Sequence, residues 1–195
     1  MLVERKGGYV MYKLNHPVEK HIQTITYKGI ELEVVERPDV LWIGCVDYAN
    51  NNTDESDINM TLKRFQGLIE SAPIRDKMNP YWSAALSINY NYDKMPCGIM
   101  FANESYTDNQ DERYDLFTQP SGLWLYVSVS EESDMALLGR QNYGTFEYFG
   151  ILRSAAEENG YMQNSEVHLE IEYHCHAEYN NPTHTNYAYI PICAV

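Results

Sequence analysis

The sequence is poor in basic residues. It holds 14 lysines and arginines against 28 aspartates and glutamates, which gives a formal net charge of −14 over 195 residues. Proteins that bind nucleic acids neutralise phosphates with a basic face, so this composition argues against direct binding of DNA or RNA. An acidic field instead raises the local concentration of cations, including organic cations.

Cysteines are few, and long hydrophobic runs are missing. The 4 cysteines form no C-x-x-C pair, and each lies in an apolar stretch. We interpret them as reduced core residues of a cytosolic protein. No apolar run is long enough to cross a membrane, and the first residues lack a signal-peptide pattern. We therefore expect a cytoplasmic protein without membrane association.

The motifs of several enzyme classes are also missing. The chain has no G-x-S-x-G sequence and no glycine-rich phosphate loop of the Walker or Rossmann type. The sequence therefore gives little support to nucleophilic catalysis, and we predict no cofactor.

One predicted strand places ionisable groups along one side. The stretch HLEIEYHCHAEY spans residues 168–179, and successive side chains of a strand point to opposite faces. One face then carries acids and imidazoles, namely His168, Glu170, Glu172, His174, His176 and Glu178. Such a row can be catalytic, metal-binding, ligand-binding or merely solvated. Because the histidines lack a strong metal-ligand spacing, we predict no metal site.

The chain repeats one order of elements: strand, helix, strand, strand. The first strands begin near residues 40 and 123, and the third elements near 84 and 167, so both offsets are 83. The pattern predicts an α+β domain over residues 31–195, with halves at about 31–110 and 111–195. Residues 1–30 are predicted to be a lead segment or a first edge strand. Under this offset the polar faces of the two long strands are equivalent, and they could converge on a shared cleft.

Four segments form a recognisable series. They are an opening strand (ELEVVERPDVLWIGC), a helix with a glycine turn (FEYFGILRSAAEENGY), a strand that carries glutamates (VHLEIEYH) and a last strand (YAYIPI). Together they resemble the GyrI-like effector-binding domain of AraC-type and MerR-type regulators, over roughly residues 30–193. The resemblance implies two βαββ halves related by a pseudo-two-fold axis, each with an antiparallel sheet and a helix, and a ligand cleft between them.

The resemblance also implies a function. Members bind hydrophobic, often cationic, small molecules, with aromatic side chains stacked on the ligand and one glutamate facing its charge. Here that glutamate corresponds to Glu170, and Glu172 stands where the family has tyrosine, which adds a second carboxylate. The further candidates for ligand contact are aromatic residues and one histidine at the rim: Trp82, Trp124, Tyr126, Tyr187, Tyr189 and His168.

Two functions from different classes remain open at this stage. The favoured one is a stand-alone, non-enzymatic domain that senses or sequesters lipophilic cations. We do not expect a helix-turn-helix domain before residue 30, although a DNA-binding partner chain is possible. The alternative is a hydrolase of strained, electrophilic aromatic compounds, in which Glu170 or Glu172 would act as a general base on water.

Overall fold

The computed structural model describes residues 3–6, 9–12, 19–49, 55–89, 97–129, 148–175 and 186–195. The fold is α+β and consists mostly of strands. The helices are α1 (Glu55–Ser71) and α2 (Tyr148–Glu158). The strands are β1 (Val3–Lys6), β2 (Tyr9–Tyr12), β3 (Lys20–Tyr27), β4 (Ile30–Arg37), β5 (Val40–Ala49), β6 (Trp82–Ile88), β7 (Cys97–Ser105), β8 (Asp115–Gln119), β9 (Gly122–Val129), β10 (Tyr161–Gln163), β11 (Leu169–Cys175) and β12 (Asn186–Ala194).

Ten of the strands form one antiparallel sheet. Its order is β3-β4-β9-β12-β11-β6-β7-β5-β8, with β10 paired to β12, while β1 and β2 form a separate hairpin. Strands β6 and β11 lie at the centre, where they join β7 and β5 on one side to β12 and β9 on the other. The antiparallel α+β class predicted from the sequence is thus confirmed. The domain boundary predicted at residue 31 falls inside the β3–β4 hairpin, because β3 belongs to the main sheet.

The sheet curls until its two ends approach each other. Strand β4 lies near one end of the strand order and β5 near the other, yet only Pro38 and Asp39 separate them in the chain. Polar contacts bridge the same gap: the Arg37 guanidinium donates to Gln119 Oε1 at 3.4 Å, and the Ser121 backbone N–H donates to Asp39 Oδ1 at 2.6 Å. The curling therefore creates an inner side, here called the interior, and an outer side.

Strand alternation divides the apolar residues between these sides. The interior holds large aromatic side chains, among them Trp42, Trp82, Trp124, Tyr173 and Tyr189. On the outer side, α2 packs on β9 and β12 through residues such as Leu125 and Ile190, and α1 packs on β5 and β7 through Ile43 and Phe65. Neighbouring residues Trp124 and Leu125 thus serve different cores, as the period of two requires.

The structure also addresses the expectations about cysteines and membrane spans. Three cysteines are free, with Cys45 buried and Cys97 and Cys193 half-buried, and the side chain of Cys175 lies outside the described residues. In the part of the chain that is described, neither helix has the length and apolarity needed to cross a membrane. The cytoplasmic location stays a prediction.

Candidate functional site

A groove lies between the two helices on the outer side of the sheet. Helix α1 packs on β5 and β7, and α2 packs on β9, β10 and β12, so the central strands β6 and β11 run between them. The outward side chains of these two strands form its floor, and the name "groove" refers below to this set: Ser83, Ala85, Ser87, Glu170, Glu172 and His174.

The two strands contribute side chains of very different size to the groove. In the antiparallel register Glu170 is opposite Ser87, and Glu172 is opposite Ala85. His174 is opposite Ser83 in the same way. Long ionisable groups on β11 therefore stand beside short side chains on β6.

Apolar side chains border the groove. On the α1 side, β7 places Ile99 next to Ser87 and Phe101 next to Ala85. On the α2 side, Ala188 of β12 lies next to Glu172. Carboxylates between apolar borders suit a ligand that is both hydrophobic and positively charged.

Glu170 lies deepest in the groove. It is 3% exposed, and one of its carboxylate oxygens accepts a hydrogen bond from the Arg153 guanidinium of α2. Arg153 also donates from Nε to Gln163 Oε1 at 3.0 Å, which fixes its orientation. A buried carboxylate is costly without a partner, and the ion pair with Arg153 offsets this cost.

Glu172 is more open than Glu170. Its side chain is 22% exposed, it accepts a hydrogen bond from Asn186 Nδ2 at 3.3 Å, and His174 Nε2 lies 3.6 Å from its Oε1. While His174 is neutral these contacts do not cancel the charge, so Glu172 presents a carboxylate to the groove.

The aromatic residues predicted to share the site with Glu170 lie on the other side of the sheet. Because Ala188 and Ile190 point outwards, Tyr187 and Tyr189 point into the interior. There the rings pack on one another: Tyr126 stacks on Tyr189 with ring centroids 4.6 Å apart, and Trp82 meets Tyr187 at 5.3 Å. The sheet thus separates Glu170 from the aromatic set, which corrects the expected shared face for Trp82, Trp124, Tyr126, Tyr187 and Tyr189. Their contact with a ligand stays a prediction.

His168 has a different position again. It precedes β11, and it lines a cavity at one end of the interior together with Ile88 and Leu169. His176 and Glu178, the last members of the ionisable row, lie outside the described residues.

The interior contains a buried ion cluster that the sequence did not reveal. The Arg37 guanidinium donates from Nη2 to Glu104 Oε1 at 2.9 Å and to the Tyr173 hydroxyl at 2.7 Å. The Tyr173 hydroxyl donates to the same Glu104 oxygen at 2.7 Å, and Asn79 Nδ2 donates to the other at 2.7 Å. Arg37 also lies over the Tyr189 ring, 4.9 Å from its centroid. The cluster joins β4, β7 and β11, so it holds the curled sheet together.

Glu19 completes this cluster. Its Oε1 lies 3.0 Å from Arg37 Nε, and its side chain is 11% exposed. Burial raises the pKa of Glu19 to about 7, although Arg37 acts in the opposite direction. Burial likewise raises the pKa of Tyr173 and of Tyr189 well above 10. Both hydroxyls therefore stay protonated at neutral pH, while Glu19 titrates there.

Comparisons with known proteins identify the fold. The structure of SAV2435 bound to tetraphenylphosphonium matches with a TM-score of 0.62 and 11% identity, over 84% of this chain and 94% of that chain. The EcmrR C-terminal domain matches with a TM-score of 0.57 and 14% identity, over 84% and 98%. A longer EcmrR chain in a complex with DNA matches at 0.57 and 13%, with 57% of that chain covered.

These matches are structural only. No family model matches the sequence, and no curated protein matches it. At such low identity the likeness establishes the fold and nothing more. This fold is consistent with the GyrI-like resemblance found in the sequence.

Proposed function

We propose that the chain is a non-enzymatic binding domain for hydrophobic, positively charged small molecules, and that the groove holds the ligand. The observation that carries this proposal is the pair of carboxylates Glu170 and Glu172 on β11, because the neighbouring strand β6 places only short side chains beside them. Arg153 compensates one of these charges, so the groove keeps an acidic character.

The energetics of the groove favour such a ligand. Its flat apolar groups would cover Ile99 and Phe101, at about 25 cal/mol for each Å² of apolar surface removed from water. Its charge would approach Glu172, whose carboxylate is already partly withdrawn from water. A neutral ligand of the same shape would gain the burial of apolar surface without the charge contact. We therefore expect discrimination by charge.

One structural neighbour supports the same class of ligand. SAV2435 binds tetraphenylphosphonium, a lipophilic cation, and it shares the fold of this chain. Tetraphenylphosphonium is therefore a suitable first probe. The neutral molecule triphenylphosphine oxide, which carries three of the same phenyl groups, is its comparison ligand.

The test is a titration of wild type and Glu172→Gln with both probes, followed by isothermal calorimetry. Loss of one partly buried charge contact is expected to weaken tetraphenylphosphonium about tenfold, since such contacts contribute about 1–2 kcal/mol. Binding of the neutral probe should change little. Glu36→Gln, which removes an exposed acid of β4 outside the groove, is the matched control.

A second variant tests the deeper carboxylate. Glu170→Gln is expected to weaken the cation more than the neutral probe, and thermal unfolding must show that the variant stays folded without its Arg153 pair. If Glu170→Gln and Glu172→Gln each weakened the binding of both probes equally, the result would contradict a charge-selective groove.

We also propose that the groove lies between two related halves. Strands β5, β7 and β6 follow one another in the sheet as β9, β12 and β11 do, and the two sets meet at the β6–β11 pair. This order supports a pseudo-two-fold axis through the groove. A role in transcription would need DNA contacts from outside these 195 residues, for example from a partner chain, because their net charge of −14 disfavours direct contact with phosphates.

A further inference from the structure

A second cavity lies at one end of the interior. It has a volume of about 580 Å³, which falls within the range of about 300–1,000 Å³ of small-molecule sites. Its apolar lining comes from five residues on three parts of the chain: Ile88, Phe117, Pro120, Val167 and Leu169. Ile88 and Leu169 are buried members of the interior core, and Phe117 and Val167 pack against it.

The central strands separate this cavity from the groove. Ile88 and Leu169 are cross-strand partners whose side chains point inwards. Their neighbours Ser87 and Glu170 are also partners, and they point outwards into the groove. A ligand in the cavity therefore cannot contact Glu170 without crossing the sheet.

The rim of the cavity is fixed by the backbone. The Asn89 N–H donates to the His168 carbonyl at 2.7 Å, and the Leu169 N–H donates to the Val167 carbonyl at 3.0 Å. Asn89 adopts the left-handed conformation with φ of 58°, which its short polar side chain tolerates. These hydrogen bonds hold the backbone of the rim in place, which lowers the ordering cost of binding.

The lining offers no buried carboxylate, lysine or arginine to balance the charge of a ligand. Its one acid, Glu166, is exposed to water, which screens its charge, and His168 is its one imidazole. A charged ligand would therefore lose hydration here without gaining a strong ion pair. Thr118, Ser165 and Asn89 supply hydroxyl and amide groups at the rim. We propose that this cavity is a second binding site, separate from the groove, for an uncharged and largely apolar small molecule.

The test uses N-phenyl-1-naphthylamine, an uncharged dye whose fluorescence rises in apolar surroundings. Wild type should bind it with saturable fluorescence. Val167→Trp, which fills the cavity, should weaken the dye at least about tenfold. Leu116→Trp adds the same ring at a position that is 50% exposed and does not line the cavity, so it should bind as wild type does.

A second filling variant keeps the test decisive. Phe117→Trp enlarges a lining side chain of β8 rather than of the loop before β11, so it provides the test if circular dichroism shows that Val167→Trp is unfolded. Unchanged dye affinity in the folded filling variants would overturn the proposal.

The two sites are told apart by exchanging probes. Filling variants should keep tetraphenylphosphonium binding, and Glu172→Gln should keep dye binding. Displacement of the dye by stoichiometric tetraphenylphosphonium would show a single shared site and would refute the second one. Failure of tetraphenylphosphonium to bind would count against the groove alone.

Discussion

The stability of this protein should fall as the pH rises through neutrality, because Glu19 is ionised at a cost. Its side chain is 11% exposed and shares the interior with Glu104, whose charge also disfavours ionisation. Burial is the largest cause, and the net effect raises the pKa from an ordinary 4.5 to about 7. Arg37, 3.0 Å away, offsets only part of this cost.

The direction follows from linkage. A group whose pKa is higher in the folded state binds its proton more tightly there, so the folded state is favoured at low pH and loses that advantage as pH rises. The loss begins near pH 4.5 and is complete above about 7. Each pH unit between the two values corresponds to about 1.4 kcal/mol, so the Glu19 contribution is at most about 3 kcal/mol.

The measurement is urea unfolding at several values between pH 5 and pH 8, on wild type and on Glu19→Gln. The unfolding free energy of wild type should fall over this range by up to about 3 kcal/mol, and Glu19→Gln should remove most of that slope. Glu36→Gln is the matched control, because it removes an exposed carboxylate of β4 and should keep the slope. An unchanged slope in Glu19→Gln would refute the reasoning, whatever its absolute stability.

Two further predictions concern the interior and the sheet. Tyr173→Phe removes a hydroxyl that forms hydrogen bonds with Arg37 and with the buried carboxylate of Glu104. The free energy of unfolding in urea should therefore fall by about 1–3 kcal/mol. The control Tyr106→Phe changes a residue that is 60% exposed and should leave this free energy almost unchanged. Gly44→Ala would place its Cβ 2.0 Å from the Phe101 carbonyl oxygen, so we expect about 3 kcal/mol of destabilisation or failure to fold, and a stability equal to wild type would contradict this register of β5 and β7.

The alternation of β11 could be predicted from the sequence because one of its faces carries only apolar or aromatic side chains and the other only ionisable ones. Leu169, Ile171 and Tyr173 alternate with ionisable groups, and the structure places them in the interior core as predicted. The helices were predictable for the same reason, since their apolar stripes recur at steps of three and four.

The aromatic placement failed because β9 and β12 are apolar on both sides. Trp124 and Leu125 each enter a core, so periodicity alone cannot tell which of them shares a face with Glu170. That assignment needs the pairing of Tyr189 with Ile171, and the sequence does not fix this register.

The ion cluster could not be found from the sequence because its partners are far apart in the chain. Arg37 is 67 residues from Glu104 and 136 residues from Tyr173. They meet only because the two-residue connection between β4 and β5 forces the sheet to curl. A single arginine before a proline carries no local sign of this role.

The carboxylates of the interior cluster and of the groove differ in how completely their oxygens are hydrogen-bonded, and this difference argues for different roles. Both oxygens of Glu104 already accept hydrogen bonds from Arg37, Tyr173 and Asn79, so a ligand would have to break contacts that hold the curled sheet together. Glu172 lies in an open groove with weaker partners. Changes in the interior cluster should therefore act mainly on stability, whereas changes at Glu172 should act mainly on ligand affinity. The same central strands thus carry a structural face and a binding face.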